Sequence, residues 1–362
     1  MFYGIIIIII ICEPLFAIKH RAFHFHWMRE HLKEHIISFL KFVVAASIIY
    51  YMIATGKLNL HDIAQLTQKK LMIFKVIVMI FAGYALLTIR WYMLLTCQGV
   101  AASFSAVTRI TCIGLFFNSF MLGSVGGDLI KAYYIAKENA GYRTRAIMSI
   151  LIDRIVGLES LLILTFITLL FNYTFIVTIP PLRALLTAIG ICLVVSLVAA
   201  AVVFSKTIKN VFAAIGLNTI IAFLPKKDIL INSYNAVHSY SGKKKKLFQA
   251  LLISLLTNII MLYIFYMIGR EIGETVIPFL GYCSIVSAGV ITLSIPIAPA
   301  GIGIGQAAFY NLFTWYGAQS GALGATIITV FQLIQLMVNV SFVFVYLSNK
   351  RAIERAVHLS AQ

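Results

Sequence analysis

Residues 118–157, NSFMLGSVGGDLIKAYYIAKENAGYRTRAIMSILIDRIVG, carry the residue types best suited to chemistry in this chain. Gly123, Gly126 and Gly127 interrupt an apolar stretch, and Asp128 and Lys131 follow at once. Glycine lets backbone approach a ligand, and a helix that starts there points free N–H groups and its positive end at that ligand. A phospholipid phosphate suits such a place. Asn118, Gly126, Gly127, Asp128 and Lys131 are the candidate headgroup contacts. Asp128 also reads as a plain N-cap. Lys131, Lys137, Arg143 and Arg145 read either as attraction for anionic headgroups or as ordinary cytoplasmic charge.

A second group sits in the apolar run that follows. Asp153, Arg154 and Glu159 are ionisable residues beside hydrocarbon-length sequence, where such groups face an interior or a polar path. Glu159, about two turns in, must pair with a cation or remain protonated. Arg109 is a candidate partner for Asp153 or Glu159, as a structural ion pair or as part of a translocation pathway. Arg90, next to Trp91 and Tyr92, reads as an interfacial anchor.

A third motif is SIPIAPAGIGIGQAAF. Pro296, Pro299, Gly301 and Gly303 cannot continue a helix, so this stretch is a second break, a gate or a tight kink, with Gln306 free to bond a headgroup. No nucleophile–base set, metal-ligand cluster or nucleotide-binding loop appears, so neither enzymatic activity nor a cofactor is expected.

The elements that must position these residues follow from composition. The chain has 362 residues, 61% hydrophobic and 11% charged, with a mean hydropathy of +0.97. That defines an all-α polytopic membrane protein. The formal net charge of +17 is a topology signal rather than a nucleic-acid footprint. Cys12, Cys97, Cys112, Cys192 and Cys283 are scattered in apolar surroundings and read as small buried hydrophobes. Residues 1–35 form a basic, His-rich segment without a signal-peptide pattern, and Met28 is an alternative start. Residues 36–348 form the membrane domain and 349–362 a cytoplasmic tail.

Six stretches are long enough to span: 38–55, 71–89, 147–171, 180–204, 247–268 and 321–347. A polar linker at 56–70 has the makings of a short interfacial helix. The lysine-rich insert 205–246 marks the cytoplasmic side. With both termini inside, charge parity makes 104–127 and 276–306 re-entrant rather than crossing, one entering from each side. Eight full spans are the alternative. Interrupted apolar segments in two halves of a chain point to a transporter's midplane site.

The stretches FFNSFMLGSVGGDLIKAYYIAK, SILIDRIVGL and PIAPAGIGIGQAAF, in that order, resemble the flippase-like transmembrane domain of bacterial lysylphosphatidylglycerol synthases and its stand-alone relatives. The resemblance implies a lipid flippase-like transporter of the bacterial inner membrane. It would move an anionic, aminoacylated or polyprenyl-linked lipid between leaflets, without the soluble synthase domain. It matches Asn118, Gly126, Gly127, Asp128, Lys131, Asp153, Arg154, Gly157, Pro299, Gly301 and Gly303. The chain departs from the expected pattern at Leu122, Ala300 and Gln306, where the family would have proline, glycine and glutamate. The loss of that acid argues against a cationic headgroup. The alternative is a non-transporting accessory protein that serves a partner synthase or glycosyltransferase in cell-envelope or glycan synthesis.

Overall fold

The computed structural model describes residues 47, 50–57, 68–120, 126–204, 227–293 and 301–348. Among these, every regular element is helical: α1 (Lys70–Cys97), α2 (Phe104–Phe120), α3 (Gly126–Glu138), α4 (Arg143–Phe171), α5 (Tyr173–Thr178), α6 (Pro180–Phe204), α7 (Lys227–His238), α8 (Lys244–Glu271), α9 (Phe279–Leu293), α10 (Ile304–Trp315) and α11 (Gly321–Ser341). Past a turn at Phe342, helix continues from α11 to Ser348.

Five stretches among the described residues are long and apolar enough to cross a bilayer: Lys70–Cys97, Arg143–Phe171, Pro180–Val202, Ile231–Glu271 and Gly321–Ser348. They coincide with five of the six expected spans. The sixth, 38–55, and the linker helix near residue 60 lie largely outside the described residues. α6 starts at Pro180, where a missing N–H costs nothing. Its Ile191, Val194, Val195 and Val198 are exposed, as suits a face turned to lipid. α11 is N-capped by Ser320, whose Oγ accepts from the Ala322 N–H.

The chain divides into two compact units, one drawn from 1–82, 108–133 and 261–362, the other from 83–107 and 134–260. In the second unit, the end of α1, the start of α4 and the end of α7 converge. Gln98 Nε2 donates to the Ala236 carbonyl at 2.9 Å, Ser239 Oγ donates to Gln98 Oε1 at 2.9 Å, and Arg145 Nη1 reaches the Gln98 carbonyl at 3.5 Å. The chain therefore leaves this end after α1 and is back at it when α4 begins. α2 and α3 make the excursion between.

In the first unit, α9 and α10 run antiparallel. A Cβ built at Gly281 meets Tyr316, one at Gly289 meets Phe309, and one at Gly305 meets Leu293. The excursion again returns to its origin, for Gln319 Nε2 donates to Thr275 Oγ1 at 3.1 Å. The origin is a locked turn: Glu274 Oε1 accepts from the Val276 and Ile277 amides, and Arg270 donates to the Glu274 and Ile277 carbonyls.

Candidate functional site

α2 and α3 also form an antiparallel pair, and glycines set how closely they approach. A Cβ on Gly127 would lie 2.3 Å from the Gly114 carbonyl oxygen and 3.0 Å from Asn118 Cβ. A Cβ on Gly114 would lie 2.8 Å from Cγ and Cε of Lys131. Gly127 thus serves helix contact, and the aliphatic stem of Lys131 lies across Gly114. Among the described glycines of this motif, Gly126 is left as a candidate for ligand approach.

Asp128 is buried in the first turn of α3, inside the helix rather than at its N-cap position. There its carboxylate complements the helix dipole. Lys131 Nζ stands 3.9 Å from Asp128 Oδ1, so the two form one local dipole instead of a bare positive site. Asn118 Oδ1 is buried without a hydrogen-bond partner. Asn118, Gly126, Gly127, Asp128 and Lys131 therefore sit together at the broken end of one helix pair.

The second pair ends in a backbone that requires glycine. Gly301 and Gly303 have φ of 71° and 86°, a region that side chains with a Cβ resist. Pro296 and Pro299 lie outside the described residues. Gln306 is not free for a headgroup, contrary to expectation. Its Oε1 accepts from the Gly303 N–H at 2.7 Å, and its Nε2 donates to Gln332 Oε1 at 2.8 Å and Thr329 Oγ1 at 3.1 Å. The helix start lacks a side-chain cap because Gly303 has none to offer, and Gln306 supplies the missing partner from within the helix.

Both broken ends meet α11 and its continuation. Moving along it, Gly321 packs on Tyr310 and Thr314, Gly324 on Phe309 and Phe313, and Thr329 and Gln332 bond Gln306. Next comes Asn339, whose Nδ2 donates to Ser119 Oγ at 2.9 Å, and then Tyr346, which packs on Phe116 and Phe117. The α9–α10 pair therefore runs along this helix from its N-terminal end and the α2–α3 pair from its C-terminal end. Their broken ends arrive on either side of the midpoint of Gly321–Ser348. At 1.5 Å per residue, Gln332 and Asn339 are roughly 10 Å apart along the axis.

The polar residues of the second unit do different work. Arg90 Nε donates to Asp153 Oδ1 at 2.7 Å and Nη2 to Oδ2 at 2.8 Å, while Nη1 donates to Ser254 Oγ at 2.7 Å. Arg90 and Asp153 are both buried. This corrects one expectation. Arg90 is not an interfacial anchor, because α1 continues to Cys97 and carries it inside. Asp153 pairs with Arg90, which donates to both of its oxygens. Gly157, one turn beyond Asp153, leaves room for the guanidinium: a Cβ there would lie 3.2 Å from Arg90 Nη1. Arg109 and Arg154 are half-buried on α2 and α4. Glu159 lies on α4 beside Ser196 of α6.

Ser254, Thr329, Gln332 and Asn339 were missed in the sequence, and the role of Arg90 was misread. Each is a polar residue within a strongly apolar helix, which is the signal that could have found them.

These features define a polytopic helical membrane protein. The chain belongs to the lysylphosphatidylglycerol synthase TM region family, whose model matches residues 38–341. No curated protein and no solved structure is significantly similar to it.

Proposed function

We propose that the protein is a flippase-like carrier of a phosphate-bearing lipid, acting without catalytic chemistry. In this reading the α2–α3 and α9–α10 pairs are re-entrant, one from the cytoplasm and one from outside. The carrying observation is the meeting of their broken ends at the middle of one spanning helix. Irregular backbone at that depth is tolerated where it is enclosed by protein or lines a cavity, and transporters place their sites there.

The headgroup phosphate would lie against the Gly126 end of α3 and Lys131, with Asn118 Oδ1 free to accept from a headgroup hydroxyl or amine. Asp128 stands 3.9 Å from Lys131 and tempers its charge. Fully committed hydrogen bonds make Gln306 part of the second gate's frame rather than a ligand. Asp153 likewise belongs to a closed staple rather than to an open path. Both termini would be cytoplasmic and the membrane the bacterial inner membrane.

The test is reconstitution in vesicles carrying labelled phospholipid or labelled polyprenyl phosphate, with leaflet exposure read by a membrane-impermeant quencher. Wild-type protein should move at least one of these lipids, and Lys131→Ala should slow it at least tenfold while the fold persists. Vesicles in which folded wild-type protein moves neither lipid would remove the transport reading in favour of an accessory role.

A further inference from the structure

Glu159 is an acid in the middle of a spanning helix. It lies 16 residues from Arg143 and 12 from Phe171, roughly 24 and 18 Å along α4. With a hydrocarbon core about 30 Å thick, that places it deep in the bilayer. Its Oε1 is buried and has no hydrogen-bond partner.

Ser196 of α6, whose hydroxyl lies 2.9 Å from the Leu193 carbonyl, is its hydrogen-bonding neighbour. A serine hydroxyl both donates and accepts, so it can receive the proton of a neutral carboxyl.

Among the described residues, Glu159 has no ion-pair partner. α6 runs antiparallel, with Gly190 against Phe166, so its Arg183 is thirteen residues, roughly 20 Å, from Ser196. On α4 itself, Arg154 is five residues away and turned about 140° around the helix, and Arg143 and Arg145 stand at its far end. Arg90 is taken by Asp153. α5 carries no charge. On α7 the charged residues are Lys227, Asp228 and His238, the last stacked on Tyr234 at the Gln98 end. Lys244, Lys245 and Lys246 open α8, eight or more residues before Ser254.

We propose that Glu159 is a proton-binding site inside the membrane, shared with Ser196, and that release of its proton couples the carrier cycle to a proton gradient. The coupling rests on the transport reading; the proton site does not. A charge at this depth without a cation is costly, so the carboxyl holds its proton until a movement of α6 against α4 admits water.

Two measurements on the full-length protein test this. Infrared difference spectra of wild type against Glu159→Gln, in lipid nanodiscs at neutral pH, should show a protonated-carboxyl C=O band lost in the variant. The substituted glutamine keeps the shape and donates an amide N–H to Ser196, so folding is preserved. Only carboxylate bands at that position would overturn the proton site. In vesicles, an imposed pH gradient should accelerate wild-type lipid movement severalfold and leave Glu159→Gln unaffected by the gradient. An equal gradient response in both proteins would overturn the coupling. If folded wild-type protein moves no lipid, transport and coupling fail together and the infrared result still decides the proton site.

Discussion

The Arg90 guanidinium grips Asp153 through two parallel hydrogen bonds, 2.7 and 2.8 Å long, and uses its remaining edge on Ser254. Three spanning helices, α1, α4 and α8, are joined by this one side chain. The Ser254 hydroxyl donates in turn to the Ala250 carbonyl at 2.8 Å, so every group in the staple is satisfied. Removing one partner strands the other, buried and charged. Arg90→Ala or Asp153→Ala should each cost about 3–5 kcal/mol. Arg90→Lys should recover little, since an ammonium cannot make the fork. Denaturant unfolding in detergent, run as a double-mutant cycle, checks both the size and the non-additivity.

Gly157 provides the floor under that guanidinium. A Cβ at 3.2 Å from Nη1 is tight but can be met by a small shift of Arg90. Gly157→Ala should therefore be mild and Gly157→Val should cost about 1–3 kcal/mol by overpacking. In an Arg90→Ala background the valine penalty should shrink, and thermal unfolding of the four proteins would reveal it.

Gly127 and Gly114 look equivalent in sequence but face different neighbours. A methyl on Gly127 meets backbone, the Gly114 carbonyl, at 2.3 Å. A methyl on Gly114 meets mainly the flexible stem of Lys131. Gly127→Ala should lower stability by roughly 3 kcal/mol or more and Gly114→Ala by about 1 kcal/mol. Comparing their melting temperatures with wild type settles the order.

Gln306 holds three hydrogen bonds around the Gly303 turn. Gln306→Ala should cost about 1–3 kcal/mol, because the Gly303 amide loses its acceptor. Gln306→Glu keeps that acceptor, and Gln332 can turn its amide to donate. The glutamate variant should melt much nearer wild type than the alanine variant.

The sequence made the two breaks legible because Gly and Pro clusters within apolar runs have few other uses. Charge parity then pointed to out-and-back excursions. The pairing of Arg90 was not legible. Sixty-three residues separate it from Asp153. The stretch after it, WYMLLTC, resembles an interface as readily as one more pair of buried turns. Gln306 misled for a different reason: a polar residue at a helix start after glycines suits a ligand or a cap equally, and only the Gly303 geometry separates them. Asn339 and Gln332 drew no notice because nothing in α11 reveals which face meets a broken helix end.

The central claim is that both interrupted helix pairs leave and return on the same side, and on opposite sides from each other. Single cysteines at Ser105, Gly141, Thr275 and Gln319, in a background with Cys12, Cys97, Cys112, Cys192 and Cys283 replaced, test it by labelling in intact cells. Ser105, Thr275 and Gln319 are exposed, and a Cβ at Gly141 meets nothing within 4 Å. The account predicts that an impermeant thiol reagent added outside labels Thr275→Cys and Gln319→Cys. It should reach Ser105→Cys and Gly141→Cys only after the membrane is opened. External labelling of just one of Ser105→Cys and Gly141→Cys would mean that α2 and α3 cross the membrane, and would contradict the account.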